Sequence, residues 1–220
     1  MTRLIIFDWD DVFTLGSKEG YIKCLHETLV DLDVHLDPTE ERKRILATWS
    51  QPHRAELKNL LRERPELVDR ACEVYEEKFF GGTFVESLKM VEGSIDLLNR
   101  LRGNYILAIA TGAHPRVLKE KVMPRFHVPD VFAQIISGYE IDEPEKQKPH
   151  PYMLEEIMNT QGAKPEETIF VGDARSDVLM ARNASVRPVV VLTGHLNKAG
   201  AEALGVKDIL PTVSDLEQIL

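Results

Sequence analysis

The chain has 220 residues, 43% of them hydrophobic and 29% charged, which suits one large domain or a domain carrying an insertion. A formal net charge of -9 excludes the whole-molecule positive field that attracts a nucleic acid backbone. No apolar run nears the roughly 18 residues needed to cross a bilayer.

The two cysteines, Cys24 and Cys72, lack a metal-binding spacing. The apolar stretch before Asp8 is too short for a signal-peptide core. A cytoplasmic protein with neither a nucleic acid nor a membrane partner is therefore expected, as a monomer or homodimer.

Leu4 to Phe7 is a continuous apolar run that stops at Asp8-Trp9-Asp10-Asp11, the pattern of a strand buried on both faces. The next segment is charged and helical in period. Tyr21, Ile22, Leu25, Leu29 and Leu32 share one stripe, and Leu67, Ala71, Val74, Tyr75 and Phe79 share another. Pro38, Pro52 and Pro65 mark boundaries between helices. Gly81-Gly82 breaks the pattern; Leu88, Val91, Ile95, Leu98 and Leu101 then predict an amphipathic helix ending near Gly103-Asn104.

Beyond it strand and helix alternate. Strands are predicted over 105–110, 131–136, 168–171 and 187–192, and helices over 114–122, 151–160, 176–183 and 213–220. Such alternation predicts an α/β fold, a parallel sheet with helices on both faces, whose ligands bind beyond the carboxyl ends of the strands.

Polar residues gather at those ends. Asp8 and Asp10 follow the first strand, Thr111 and Gly112 the strand over 105–110, and Asp173 and Asp177 the strand over 168–171, while Lys148 precedes a helix. Asp8 and Asp10, one residue apart, can point the same way, so one carboxylate can attack phosphorus while the other handles the leaving-group proton. Asp173 and Asp177, with Asp8, offer the hard oxygen ligands that Mg2+ prefers. Lys148 supplies a compact positive charge, and Thr111 with the amides beside it supplies hydrogen bonds to a phosphoryl group. Taken singly, each feature has a plainer reading as a turn, a helix cap or a surface lysine. Their common position at strand ends favours a site.

With these motifs the chain resembles the haloacid dehalogenase-like superfamily. Phe7-Asp8-Trp9-Asp10 matches its first motif, Ala110-Thr111-Gly112 its second, Lys148-Pro149-His150-Pro151 its third and Val171-Gly172-Asp173-Ala174-Arg175-Ser176-Asp177 its fourth. The resemblance implies a Rossmann-like core over 1–15 and 85–220, with a helical cap over 16–84. It also implies Asp8 as nucleophile and Asp10 as acid/base. Mg2+ would lie on the Asp8 carboxylate, the Asp10 carbonyl and Asp173, with Asp177 linked through water; Thr111, Gly112 and Lys148 would hold the phosphoryl oxygens. Asp10 favours phosphate esters over halide displacement. Two positions depart from the pattern: Asp11 stands where family phosphatases usually have Gly, and Gly112 replaces a frequent Asn. Asp tolerates an unusual backbone conformation, so the turn at Asp11 is expected to survive.

The resemblance further implies that the cap closes over the site and selects the leaving group. His53 and Arg54, beside Trp49 and the 50–54 turn, are the predicted specificity residues, and His114 and Arg116 are placed near an entrance. The expected function is a Mg2+-dependent phosphatase acting on a small phosphorylated metabolite through an aspartyl-phosphate. A β-phosphoglucomutase-like phosphomutase and a catalytically weak binding or regulatory protein of the same fold are the alternatives.

Overall fold

The computed structural model describes residues 2–48 and 53–220. The chain divides into two units, Met1–Leu15 with Lys89–Leu220, and Gly16–Leu88. Eight strands are found among the described residues: β1 Leu4–Phe7, β2 Thr14–Leu15, β3 Lys89–Met90, β4 Ile106–Thr111, β5 Phe132–Ser137, β6 Thr168–Gly172, β7 Arg187–Val191 and β8 Asp208–Leu210. The helices are α1 Ser17–Asp31, α2 Pro38–Ala47, α3 His53–Leu60, α4 Val68–Gly81, α5 Thr83–Ser87, α6 Ser94–Leu101, α7 Pro115–Val117, α8 Met123–Arg125, α9 Tyr152–Gln161, α10 Arg175–Asn183 and α11 Lys198–Ala203. No helix among the described residues is long and apolar enough to cross a membrane.

The larger unit is built on a six-stranded sheet in the order β5-β4-β1-β6-β7-β8. Every pairing in it is parallel. The four residues of β1 are fully buried, so both faces of the strand are covered and it has no solvent side to alternate towards. On one face Leu4, Ile6, Ala108, Ala110 and Phe170 pack with Met153, Leu154 and Ile157 of α9 and Met180 and Ala181 of α10. Each such Leu or Ile contributes about 1.5–3 kcal/mol by leaving water. The chain fills one side of β1 with β4 and β5, then crosses to the other side with β6. The carboxyl ends of β4, β1 and β6 therefore meet at the switch point where such sheets bind ligands.

The α/β architecture and its parallel sheet are as the sequence predicts, with strand limits shifted by a residue or so. Some elements differ. The helix predicted from Leu88 begins only at Ser94, since Gly93 takes a left-handed backbone (φ 74) just ahead of it. The residues before it run instead into β3, which pairs antiparallel with β2, and the Val91 amide donates to the Phe13 carbonyl (2.8 Å). The helix predicted over 114–122 is interrupted by a π turn, Leu118–Val122, and the closing helix is a 3-10 helix, Val213–Ile219. β8, only three residues long, has no counterpart among the predicted strands.

The smaller unit is helical. The buried face of α1 (Cys24, Leu25, Thr28 and Leu29) and that of α4 (Ala71, Val74, Tyr75 and Phe79) form its interior, with the Tyr21 and Phe79 rings stacked 5.5 Å apart. Asp37 caps α2, accepting from the Thr39 and Glu40 amides (2.9 and 3.2 Å), with Pro38 in the first turn.

Candidate active site

β1 ends at Phe7, level with Ile109 of β4 and Val171 of β6, so the next residue, Asp8, emerges between the ends of both neighbours. Its amide donates to the Val171 carbonyl (2.8 Å), and its Oδ1 accepts from the Trp9 amide (2.7 Å). The Lys148 ammonium stands 2.9 Å from Asp8 Oδ2 and 2.8 Å from Asp177 Oδ1. All three side chains are largely buried, so the bridge acts where solvent screening is weak. Burial works against the lysine charge, but Asp177 and then Asp8 outweigh it and hold the ammonium above the ordinary lysine range.

Asp177 sits in the first turn of α10, where its Oδ2 accepts from the amides of Asp173 and Ala174, 3.1 Å each. It thereby fixes the turn that presents Asp173 and satisfies amides at the helix start. Gly172 is required here: a Cβ would lie 2.5 Å from that same Oδ2. Thr111, at the end of β4, is fully buried, and its hydroxyl accepts from the Ala113 amide (3.1 Å). Gly112 beside it is exposed. Asp10 is half-buried and accepts from the Thr14 hydroxyl (3.4 Å).

The charge in this site does not balance. Asp8, Asp173 and Asp177 bring ligand oxygens within 4.8 Å of one another, and Lys148 pairs with two of them, Asp8 and Asp177. Burial pushes the Asp173 carboxyl up to about 8, with Asp177 and Asp8 adding to the effect. Burial, then Asp8 and Asp11, pushes Asp10 up to about 7. Asp8 is raised too, by burial in the first place, against the opposing pull of Lys148. A buried set of hard oxygens with surplus negative charge fits a divalent cation such as Mg2+. A second group, Asp11, Asp173 and His195, also brings ligand atoms within 4.8 Å and shares Asp173 with the first.

The structure thus brings Asp8, Lys148, Asp173 and Asp177 together, with Thr111 and Asp10 adjoining at the strand ends. Asp11 adopts the left-handed backbone (φ 57), the conformation anticipated for it. The predicted specificity residues lie in the helical unit. Arg54 pairs with Asp69 and stands 3.8 Å from Cys72 Sγ. His53 is 3.6 Å from Glu76 and stacks on Tyr75 at 5.1 Å. Trp49 and residues 50–52 of the associated turn lie outside the described residues. The His114 ring lies tilted against Tyr139, centroids 4.9 Å apart, and Arg116 pairs with Glu120 at 3.1 Å.

Sequence reasoning missed the loop after β7. The Thr193 hydroxyl donates to the Asp11 carbonyl (2.5 Å), and the His195 amide donates to Asp173 Oδ2 (2.8 Å). The available signal was Thr193-Gly194 following a buried strand, a repeat of Thr111-Gly112 after β4.

A profile of the haloacid dehalogenase-like hydrolase family matches residues 5–191. The chain is 32% identical to a phosphoglycolate phosphatase of Photorhabdus laumondii subsp. laumondii, over 97% of its own length and 90% of that protein. It is 31% identical to the pyrophosphatase PpaX of Halalkalibacterium halodurans, over 80% of its length and 67% of that relative. Among solved structures, a Thermotoga maritima protein assigned as a β-phosphoglucomutase superimposes with a TM-score of 0.79 at 21% identity, covering 100% of both chains. A haloacid dehalogenase-superfamily hydrolase of Geobacter sulfurreducens gives 0.76 at 22%, covering 100% of this chain and 96% of the other. At these identities the likeness of the solved structures is one of fold.

Proposed function

Because this chain belongs to the haloacid dehalogenase-like hydrolase family, we propose that it is a phosphatase that hydrolyses a small phosphorylated metabolite through an aspartyl-phosphate on Asp8. The observation that carries the reading is the buried Asp8–Lys148–Asp177 bridge at the carboxyl edge of the sheet, with 2.9 and 2.8 Å contacts. A lysine so placed holds the nucleophilic carboxylate in line and can turn to a phosphoryl oxygen when substrate enters.

In the first step an Asp8 oxygen forms a bond to phosphorus as the bond from phosphorus to the ester oxygen breaks. The departing oxygen takes a proton from Asp10, whose carboxyl, pushed up to about 7, retains one near neutrality. In the second step Asp10, now a carboxylate, removes a proton from water as that water attacks phosphorus. The acyl-phosphate bond breaks, releasing inorganic phosphate and restoring Asp8. The Thr111 hydroxyl and the amides beside it steady the phosphoryl oxygens. Asp8, Asp173 and the Asp10 carbonyl would hold Mg2+, Asp177 would reach it through water, and the ion would supply neutralisation of the negative charge brought together there. Both cysteines are free, which suits a reducing cytoplasm.

The relatives named for phosphoglycolate and pyrophosphate supply the first members of a substrate panel. The test is Mg2+-dependent phosphate release across that panel by the wild type and Asp8→Asn. Release that the variant loses is the expected result. Sugar phosphate isomerisation without net release would assign a mutase instead. No release above the Asp8→Asn level on any substrate would sink the enzymatic reading.

A further inference from the structure

The loop that follows β7 touches both acidic turns of the site without contributing a side-chain ligand to the proposed cation set. Its Thr193 hydroxyl donates to the carbonyl of Asp11 (2.5 Å), 182 residues away in sequence. Its His195 amide donates to Asp173 Oδ2 (2.8 Å), and the Leu196 amide donates to the Asp173 backbone carbonyl (2.8 Å). Between them Gly194 lies against the Asp173 carboxylate so closely that a Cβ would collide with it. The loop is itself anchored at both ends. The Leu192 amide donates to the Leu210 carbonyl (3.0 Å) at the end of β8, and Asn197 caps α11 by accepting from the Gly200 amide (2.8 Å).

We propose that Thr193, Gly194 and His195 are positioning residues that set the cation affinity of this site, by fixing the distance and direction between the Asp8–Asp11 turn and the Asp173 carboxylate. Three physical effects combine. The threonine hydroxyl ties down the backbone of the Asp10–Asp11 turn, whose Asp10 carbonyl is one of the proposed ligands. The glycine leaves room for Asp173 at van der Waals contact with the loop backbone. The His195 amide occupies Oδ2 of Asp173, which orients the carboxylate and leaves its other oxygen for the ion. Groups that orient a ligand in this way commonly govern metal affinity nearly as strongly as the ligands themselves.

The inference rests on Asp173 being a cation ligand, and the experiment separates the two ideas. Mg2+ binding to the full chain is measured by calorimetry, and Mn2+ binding by electron paramagnetic resonance, for wild type, Asp173→Asn, Thr193→Val, Thr193→Ser and Gly194→Ala. Thr193→Val is expected to weaken binding about 10-fold and Gly194→Ala up to about 100-fold. Thr193→Ser, which keeps the hydroxyl, returns affinity to the wild-type value. At saturating Mg2+, the KM of Thr193→Val for p-nitrophenyl phosphate stays at the wild-type value, a split that general loosening of the fold would not produce. If Gly194→Ala fails to fold, the Thr193→Val and Thr193→Ser pair carries the test. Wild-type affinity in Thr193→Val, with binding lost in Asp173→Asn, overturns the positioning role alone. Wild-type affinity in Asp173→Asn overturns the ligand assignment and the positioning role with it.

Discussion

The two units of this chain handle charge in opposite ways. In the helical unit Arg44 is buried, yet it is fully answered: it donates to Glu40 (2.8 Å), to both oxygens of Glu63 (2.6 and 2.9 Å) and to the Leu60 carbonyl (3.0 Å). Arg62 adds bonds to the same two glutamates. Two cations meet two anions there, and the anions reach solvent. In the sheet unit one ammonium, Lys148, meets Asp8 and Asp177 while Asp173 and Asp10 stand close by, and burial raises the carboxyls of Asp8, Asp10 and Asp173. A balanced network can do no more than hold helices together. An unbalanced buried one stores a demand for positive charge that a cation can meet.

The strongest way to break that contrast is to remove its central cation. Lys148→Met leaves Asp8 and Asp177 facing each other with no cation between them. Turnover should fall by a factor on the order of 10² to 10³, as when a preorganised charge stabiliser is lost. The metal-free protein should also lose about 3–5 kcal/mol of stability, the usual result of orphaning a buried charge. Phosphate release at saturating Mg2+ and chemical denaturation in chelator check the two parts. An unchanged metal-free stability would mean that the bridge does not compensate those carboxylates.

Arg44→Met tests the other side of the comparison. It leaves the Leu60 carbonyl without its donor, while Glu40 and Glu63 turn to water at little cost. The expected loss is about 1–2 kcal/mol, seen as a lower melting temperature with Mg2+ affinity unchanged. A change in Mg2+ affinity would show that the two networks are coupled.

The same contrast explains what could be read from the sequence. A strand buried on both faces writes itself as an unbroken apolar run, and the abrupt polar residue at its end marks the sheet edge. Asp8, Thr111 and Asp173 were therefore legible by position as well as by motif. The turn at Asp11 was legible too, because few residues other than Gly tolerate φ near 57. The loop after β7 was not. Its action on Asp173 passes through backbone amides, which carry no side-chain signature, and through partners 22 and 182 residues away. In the helical unit a basic residue on a charged helix says nothing of which acid it will meet. Arg54, a predicted specificity residue, is paired with Asp69, whereas Arg44, the buried one, carries no mark in the sequence that sets it apart from its basic neighbours.

The smallest expected effect concerns Glu56, an exception to balance within the helical unit. It is 8% exposed, and burial alone pushes its carboxyl from the ordinary 4.5 up to about 7. A folded-state pKa above the unfolded one means that the native protein binds the extra proton. Its contribution is complete below about 4.5 and is lost as pH rises through about 7. Glu56→Gln keeps the shape without the charge. At pH 8.5 it should melt about 2–4 °C above wild type, the shift that roughly 1 kcal/mol produces in a chain of this size, and at pH 5 the two should coincide. Glu63 works in the opposite sense: hydrogen bonds from Arg44 and then Arg62 hold its carboxyl at about 2, so its contribution is lost as pH falls from 4.5 towards 2. The substitution at Glu56 should therefore alter the alkaline limb of the stability profile and leave the acid limb in place. A lower melting temperature for Glu56→Gln at pH 8.5 would mean that the ionised carboxylate is stabilised in the fold, and the contrast between one balanced and one unbalanced set of charges would then need to include a third.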